Sequence, residues 1–192
     1  DKGLLIKKLE QLVQKNNWQG KQAVTVVRGR MVIIQNFIMP VMPKAELKNA
    51  VMFELASYLP FNSEEAVIDF VNLGTIRIER EKQCLILIAA IPKKLALTYY
   101  EVFTAIGLDL VAIDIVPLAL QRTFYSKYGK GVTAFADIGE ETTNFFILAD
   151  CKVSLTRNIT TASTFLDQEI IRELRRFLDF WYAQSQNTDI FK

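Results

Sequence analysis

Apolar residues recur every three or four positions in five stretches of the chain, a spacing that places them on one face of a helix. In the first stretch Leu5, Leu9 and Leu12 are interspersed with lysine and glutamine, and the pattern ends near Asn16. Prolines open the next three stretches and fit a first helical turn, where a backbone N–H has no partner. The pattern predicts helices over about 4–17, 43–59, 92–107, 117–128 and 165–185.

Short apolar or alternating runs separate these helices and are typical of β-strands. The triplet Arg28-Gly29-Arg30 between the first two runs is typical of a hairpin turn, so we expect those two strands to pair with each other. The strands are predicted at 23–27, 31–39, 66–73, 75–78, 84–91, 110–116, 132–136, 145–148 and 153–159. Residues 41–114 thus form a compact α+β unit, interpreted as an inserted subdomain.

The composition of the 192-residue chain narrows its functional class. Hydrophobic residues make up 51% and charged residues 23%, values typical of a globular protein. The net charge of +2 disfavours a nucleic-acid partner, and the absence of histidine excludes histidine-based catalysis. Cys84 and Cys151 lie in apolar runs, which favours reduced, buried thiols. No apolar run reaches the roughly 20 residues of a membrane helix and no signal peptide is visible, so we expect a cytoplasmic protein.

A polar turn between two predicted strands is the strongest candidate for chemistry. A glycine-bearing turn lets backbone N–H groups approach a phosphate, a threonine hydroxyl can donate to it, and an aspartate can hold Mg²⁺ through water. An ordinary hairpin turn explains the same pattern, so the residues alone leave both interpretations open. The candidate phosphate-binding residues are Asp137, Gly139, Glu140, Thr142, Thr143 and Asn144, with Asp137 as the candidate Mg²⁺ residue.

Several segments together resemble the actin-like PilM and FtsA family of type IV pilus and cell-division proteins. The turn at 137–144 and the strands beside it resemble the second phosphate-binding hairpin of the actin superfamily. The helix ending in Tyr58-Leu59-Pro60-Phe61, and the segments 89–93, 102–108 and 112–120, are similar to PilM in particular. The likeness extends over residues 1–192.

This resemblance implies an α/β fold of actin-like (ribonuclease H-like) lobes with an inserted small α+β subdomain and mixed sheets flanked by helices. It assigns 1–40 and 115–130 to an incomplete first lobe, 41–114 to the insert, and 131–192 to the start of a second lobe. The first phosphate loop and the adenosine loop of the family are not seen, which predicts a fragment or a chain with omitted segments. ATP and Mg²⁺ are therefore expected only in a full-length form, and neither a cofactor nor catalysis is expected of this chain.

The resemblance also implies a protein partner. In PilM a groove between the first lobe and the insert is expected to hold the N-terminal peptide of PilN, an inner-membrane pilus protein. Extended peptides bind by strand addition or in apolar clefts, where methionine and phenylalanine adapt to the ligand. Packing in an ordinary core explains the same side chains. The predicted groove residues are Phe37, Met39, Val41, Met42, Leu59 and Phe61.

The implied function is a scaffold at the inner face of the cytoplasmic membrane, which docks a PilN-like protein and links it to the pilus assembly and retraction ATPases. Self-association is a further expectation. Two alternatives stay open: an actin-like, ATP-binding and polymerising protein of cell division like FtsA, or the cytoplasmic domain of a type II secretion protein of the GspL kind. The corner at 58–61 favours PilM over both.

Overall fold

The computed structural model describes residues 2–78, 80–128, 131–140, 142–150, 152–160 and 166–187. Its helices are α1 (Lys2–Lys15), α2 (Lys44–Ala56), α3 (Lys93–Ala105), α4 (Val116–Tyr128) and α5 (Leu166–Asn187). Its strands are β1 (Gln22–Val27), β2 (Ile33–Pro40), β3 (Ala66–Ile78), β4 (Glu81–Pro92), β5 (Asp109–Ile115), β6 (Val132–Ile138), β7 (Thr142–Ala149) and β8 (Lys152–Thr160).

The strands form three small sheets. β1 and β5 pair in parallel, from Gln22 opposite Asp109 to Val27 opposite Ile115. The second sheet is antiparallel with the order β2-β4-β3, and the third is an antiparallel meander, β6-β7-β8. Helices lie against these sheets, which confirms the mixed α/β class. No helix in the described part of the chain is both long and apolar enough to span a bilayer.

The predicted pairing of the first two strands is wrong. β1 pairs with β5, whereas β2 pairs with β4, so the turn at 28–31 carries the chain from one sheet to another. Gly29 has a φ of +118°, which L side chains rarely adopt, and its carbonyl accepts a hydrogen bond from the Val32 amide. Val27 and Val32 are buried in the same apolar cluster. The free energy gained by burying both valines between the sheets therefore exceeds what a local hairpin would gain.

A second correction concerns the strand predicted to end at residue 73. β3 continues through Gly74 to Ile78 as one strand with a register shift between Asn72 and Gly74. The Asn72 side chain accepts a hydrogen bond from the Gly74 amide at 2.9 Å, and Gly74 has a φ of +130°. The glycine that suggested a turn therefore forms a β-bulge.

Three apolar clusters hold the molecule together. The first lies between the β1-β5 sheet, β4 and the third sheet, around Val27, Leu87, Ile115 and Phe146. In the second, α2 covers the β2-β4-β3 sheet through Leu47, Val51 and Leu55, with Cys84 buried beside them as expected. In the third, α5 covers β7 and β8 through Ile170 and Phe177. Cys151 lies outside the described residues.

The sheets join segments from both sides of the predicted domain boundaries. β2 precedes residue 41 yet pairs along its whole length with β4, inside the predicted insert. β5 closes the predicted insert and pairs with β1 of the predicted first lobe. The division into 1–40 with 115–130, 41–114 and 131–192 stays a prediction.

Candidate functional site

The predicted phosphate turn connects β6 to β7. Asp137 and Asn144 are opposite each other in the ladder, as are Ile138 and Thr143. The Gly139 amide donates to the Thr142 carbonyl at 2.9 Å, which closes the turn. Glu140 lies exposed at its tip. The structure thus brings the six predicted residues into one hairpin, because they are local in sequence.

The Asp137 carboxylate is engaged by a cation from a distant part of the chain. Its Oδ1 lies 3.0 Å from Nη2 of Arg28, in the turn that follows β1. The carboxylate is largely buried, whereas the arginine is more exposed. This ion pair ties the end of β6 to the end of β1. It also places a positive charge where the sequence predicted a hydrated Mg²⁺.

The two threonines of the turn lie inside the molecule. Thr142 is 6% exposed and Thr143 is 0% exposed. Side chains alternate across a strand, so Thr143 shares its face of β7 with Phe145, in the cluster under α5. Both side chains are therefore shielded from solvent.

The residues present do not fit a nucleotide in this arrangement. The Gly139 amide is used by a carbonyl, the Asp137 carboxylate by Arg28, and the threonine side chains are buried. A bound phosphate would have to displace these contacts. In the described part of the chain, no group of three or more acidic or cysteine side chains could hold a metal ion either.

Most of the residues predicted to line the partner groove pack in the α2 cluster. Met39 is 4% exposed, and Phe37, Met42 and Leu59 contact the same cluster. Phe37 also meets the Tyr58 ring edge to face, with centroids 5.1 Å apart. Val41 is 57% exposed and Phe61 is half-buried. The assignment of these six residues to a groove stays a prediction, and four of them contribute to the core under α2.

An open groove lies on the face of the β2-β4-β3 sheet that is opposite α2. It has a volume of about 500 Å³ and runs between β3, the first half of α3, and β5. We call it the β3–β5 groove. Its exposed lining comes from Val67 and Asp69 of β3, Lys93, Leu97 and Tyr100 of α3, and Val111 and Ala112 of β5.

The groove is apolar although it is open to solvent. Leu97 and Tyr100 are 59% and 57% exposed, and Val67 and Val111 are also exposed. The floor is formed by Ala89, Ala90 and Ile91 at the end of β4. An open groove with a mainly apolar lining is a candidate binding site.

Two strand edges border this groove. β3 pairs only with β4, and β5 pairs only with β1, among the strands that the structure describes. Each strand therefore presents one row of backbone N–H and C=O groups without a ladder partner in those strands. An extended segment laid in the groove can take hydrogen bonds from such an edge while its side chains enter the apolar lining.

The sequence contained a signal for this groove that helical and strand periodicity did not show. β5 is apolar on both faces, from Leu110 to Ile113, as a strand covered on both sides would be. In the structure one side stays exposed at Val111. Leu97 and Tyr100 likewise fall outside the face of α3 that buries Val102.

Comparison with known proteins shows which family this chain resembles. The family model described as "Type IV pilus assembly protein PilM" matches residues 2–181. The chain is similar to a solved structure titled "PilM-PilN type IV pilus biogenesis complex", with 24% identity and a TM-score of 0.69. The match covers 94% of this chain and 57% of that one, so the chain spans little more than half of that relative.

Two more distant structures are also similar. One is the cytoplasmic domain of EpsL, an inner membrane component of the type II secretion system of Vibrio cholerae. Its identity is 12% and its TM-score 0.53, over 84% of this chain and 57% of that one. The other, a Bacteroides thetaiotaomicron protein of unknown function with an actin-like ATPase fold, has 10% identity and a TM-score of 0.46, over 94% and 63%.

Proposed function

This chain belongs to the PilM family of type IV pilus assembly proteins, and we propose that it is a cytoplasmic scaffold that binds the N-terminal peptide of a PilN-like inner-membrane protein. The family match over residues 2–181 supports the pilus role. The partner is supported by the similarity of this chain to the structure of a PilM-PilN type IV pilus biogenesis complex. Actin-like lobes with an inserted subdomain, and an attachment to the membrane only through the partner, are part of the same proposal.

The single observation that carries the binding proposal is the β3–β5 groove. Its apolar lining matches the side chains of a short hydrophobic peptide, and its two free strand edges match an extended backbone. A peptide bound there would contact β3 and β5 at the same time. Because these strands belong to different sheets, binding would also fix one sheet relative to the other.

We further propose that the chain has no catalytic activity and carries no nucleotide by itself. The absence of histidine from the sequence, the Arg28–Asp137 ion pair and the buried Thr142 and Thr143 support this part. ATP and Mg²⁺ binding remain a proposal for a full-length form. The link to the assembly and retraction ATPases, and self-association, rest on the family alone.

The alternatives have less support. The likeness to the type II secretion domain, at 12% identity, shows a shared fold alone. No structural observation favours an FtsA-like filament protein over a PilM-like scaffold. The family match is to PilM, so the pilus role is the one we put to the test.

The proposal is tested by calorimetric titration with a synthetic N-terminal peptide of the PilN-like protein encoded by the same organism. We expect saturable binding that Leu97→Glu or Val111→Glu weakens about tenfold or more, because a charge enters the apolar lining. Phe53→Glu is the matched control, since Phe53 is an exposed apolar residue on α2, across the sheet from the groove.

Circular dichroism and the unfolding midpoint must first show that each variant is folded. If folded protein does not bind the peptide, the proposed function fails for this chain. If Phe53→Glu weakens binding as much as the groove variants do, the assignment of the peptide site to the β3–β5 groove is wrong.

A further inference from the structure

We infer that the β3–β5 groove selects a peptide with a basic side chain flanked by apolar ones, and that Asp69 is the residue that recognises this basic side chain. This inference rests on the proposed function, because it specifies the chemistry of the partner at the same site. It concerns a specificity-determining residue and is argued from the position, contacts and charge of Asp69.

Asp69 lies in a row of β3 side chains that lines the groove and the cavity next to it: Val67 and Asp69 line the groove, and Asp69 and Val71 line the cavity. These residues alternate with Ile68 and Phe70, which pack in the α2 cluster. Asp69 lines the large groove and also the smaller cavity that continues it toward α4. A ligand that follows the edge of β3 must therefore pass this carboxylate.

The other charged groups along this path make contacts of their own. Lys93 also lines the groove, and its Nζ donates to the neutral backbone carbonyl of Glu64 at 2.6 Å. The Asp114 carboxylate pairs with Arg122 and accepts the Ile115 amide.

The Asp69 carboxylate differs from these groups. It accepts the amide of its own neighbour, Phe70, at 2.8 Å, and in the described part of the chain no cation pairs with it. Asp69 is thus a carboxylate without an ion-pair partner among the described residues, in a lining whose other charged side chain is Lys93.

The spacing of side chains along β3 predicts where a basic residue would stand in the sequence of the ligand. Side chains on one face of a strand repeat every second residue, at about 6.6 Å, and residues directly opposite each other on neighbouring strands interact in pairs. A strand added to β3 therefore presents apolar side chains opposite Val67 and Val71 and a lysine or arginine opposite Asp69. The predicted pattern is apolar, any residue, basic, any residue, apolar.

An acidic residue on an edge strand has a second explanation. Charged side chains on free edges prevent one molecule from pairing with another. A carboxylate with only that role would favour a positive charge to a similar degree at any nearby position of the peptide, not at one position alone. The dependence of the lysine preference on position therefore separates the two explanations.

The test is a charge-exchange experiment on the intact chain, read by fluorescence anisotropy at low and high salt. The probes are N-acetylated peptides from the N-terminus of the PilN-like protein, with lysine, norleucine or glutamate placed in turn at each position. Acetylation removes the terminal amine as an alternative cation. The protein variants are Asp69→Lys and, as a control of equal charge change, Glu54→Lys on the exposed side of α2.

We expect one position at which lysine binds about three to ten times more tightly than glutamate, with the preference reversed in Asp69→Lys and kept in Glu54→Lys. The preference should shrink in high salt. The inference is overturned if the peptides bind but Asp69→Lys leaves the preference unchanged, in which case the proposed function stands. Absence of binding by every probe to folded protein overturns both.

Discussion

Gly139 makes the closest backbone approach in the β6-β7 turn. A side-chain carbon added at this position would lie 2.9 Å from the Thr142 carbonyl oxygen, a distance that requires the backbone to move. We predict that Gly139→Ala lowers the free energy of unfolding by about 1–3 kcal/mol, because the turn must open to relieve the overlap. Urea denaturation measures this change.

Glu140→Ala is the control for the same turn. Glu140 is exposed, and its truncation should change the free energy of unfolding by no more than about 0.5 kcal/mol. If Gly139→Ala is as stable as the parent chain, the turn is less tightly fixed than the described contacts indicate.

The residue types of this turn could be predicted from the sequence, but their environment could not. Asp137, Gly139 and Thr142 lie close together in the sequence, so a local pattern contains all three. The partner of Asp137 is Arg28, more than 100 positions away, and local patterns carry no information about such a pair. The burial of Thr143 likewise depends on α5, which folds back over β7 from a later part of the chain.

At the scale of elements, helical periodicity was the most reliable signal. All five predicted helices are present. Their burial was less predictable, because Leu5 and Leu12 on the predicted face of α1 are each 50% exposed. Strand pairing was less reliable, because it depends on which strands the core brings together. The turn at 28–31 has the composition of a hairpin, yet β1 pairs with β5 through a crossover that includes three other strands, β2, β3 and β4.

The packing of α5 gives a prediction at this scale. Phe177 is 1% exposed and lies against Phe145, with ring centroids 5.8 Å apart, whereas Phe180 on the same helix is 52% exposed. Phe177→Ala should lower the free energy of unfolding by about 3–5 kcal/mol, since it leaves a cavity under the helix. Phe180→Ala should cost less than about 1 kcal/mol.

Urea denaturation followed by tryptophan fluorescence compares the two variants. Trp181 packs against the third cluster, and its Nε1 donates to Ser154 Oγ at 3.1 Å, so its emission reports on the attachment of α5. Equal stability of the two variants would mean that α5 does not contribute to the cooperative core.

At the scale of the whole molecule, the candidate binding site arises only from the arrangement of the sheets. Val67, Leu97 and Val111 belong to three elements. The surplus apolar residues of β5 and α3 indicate a further apolar contact, but no local pattern shows that the three elements meet. The sequence pointed to the proline-rich segments around Phe37 and Leu59, whose side chains are apolar because they pack against α2. Periodicity identifies apolar residues but does not separate a core from a binding surface.

The most direct test of the central claim is to locate the bound peptide. A PilN-like N-terminal peptide carrying a photoreactive benzoylphenylalanine can be cross-linked to the full chain and the attachment sites mapped by mass spectrometry. We predict attachment within 67–71, 97–100 and 110–113, on β3, α3 and β5. Attachment instead around Val41 and Phe61, or on the outer face of α2, would contradict the assignment of the β3–β5 groove as the partner site.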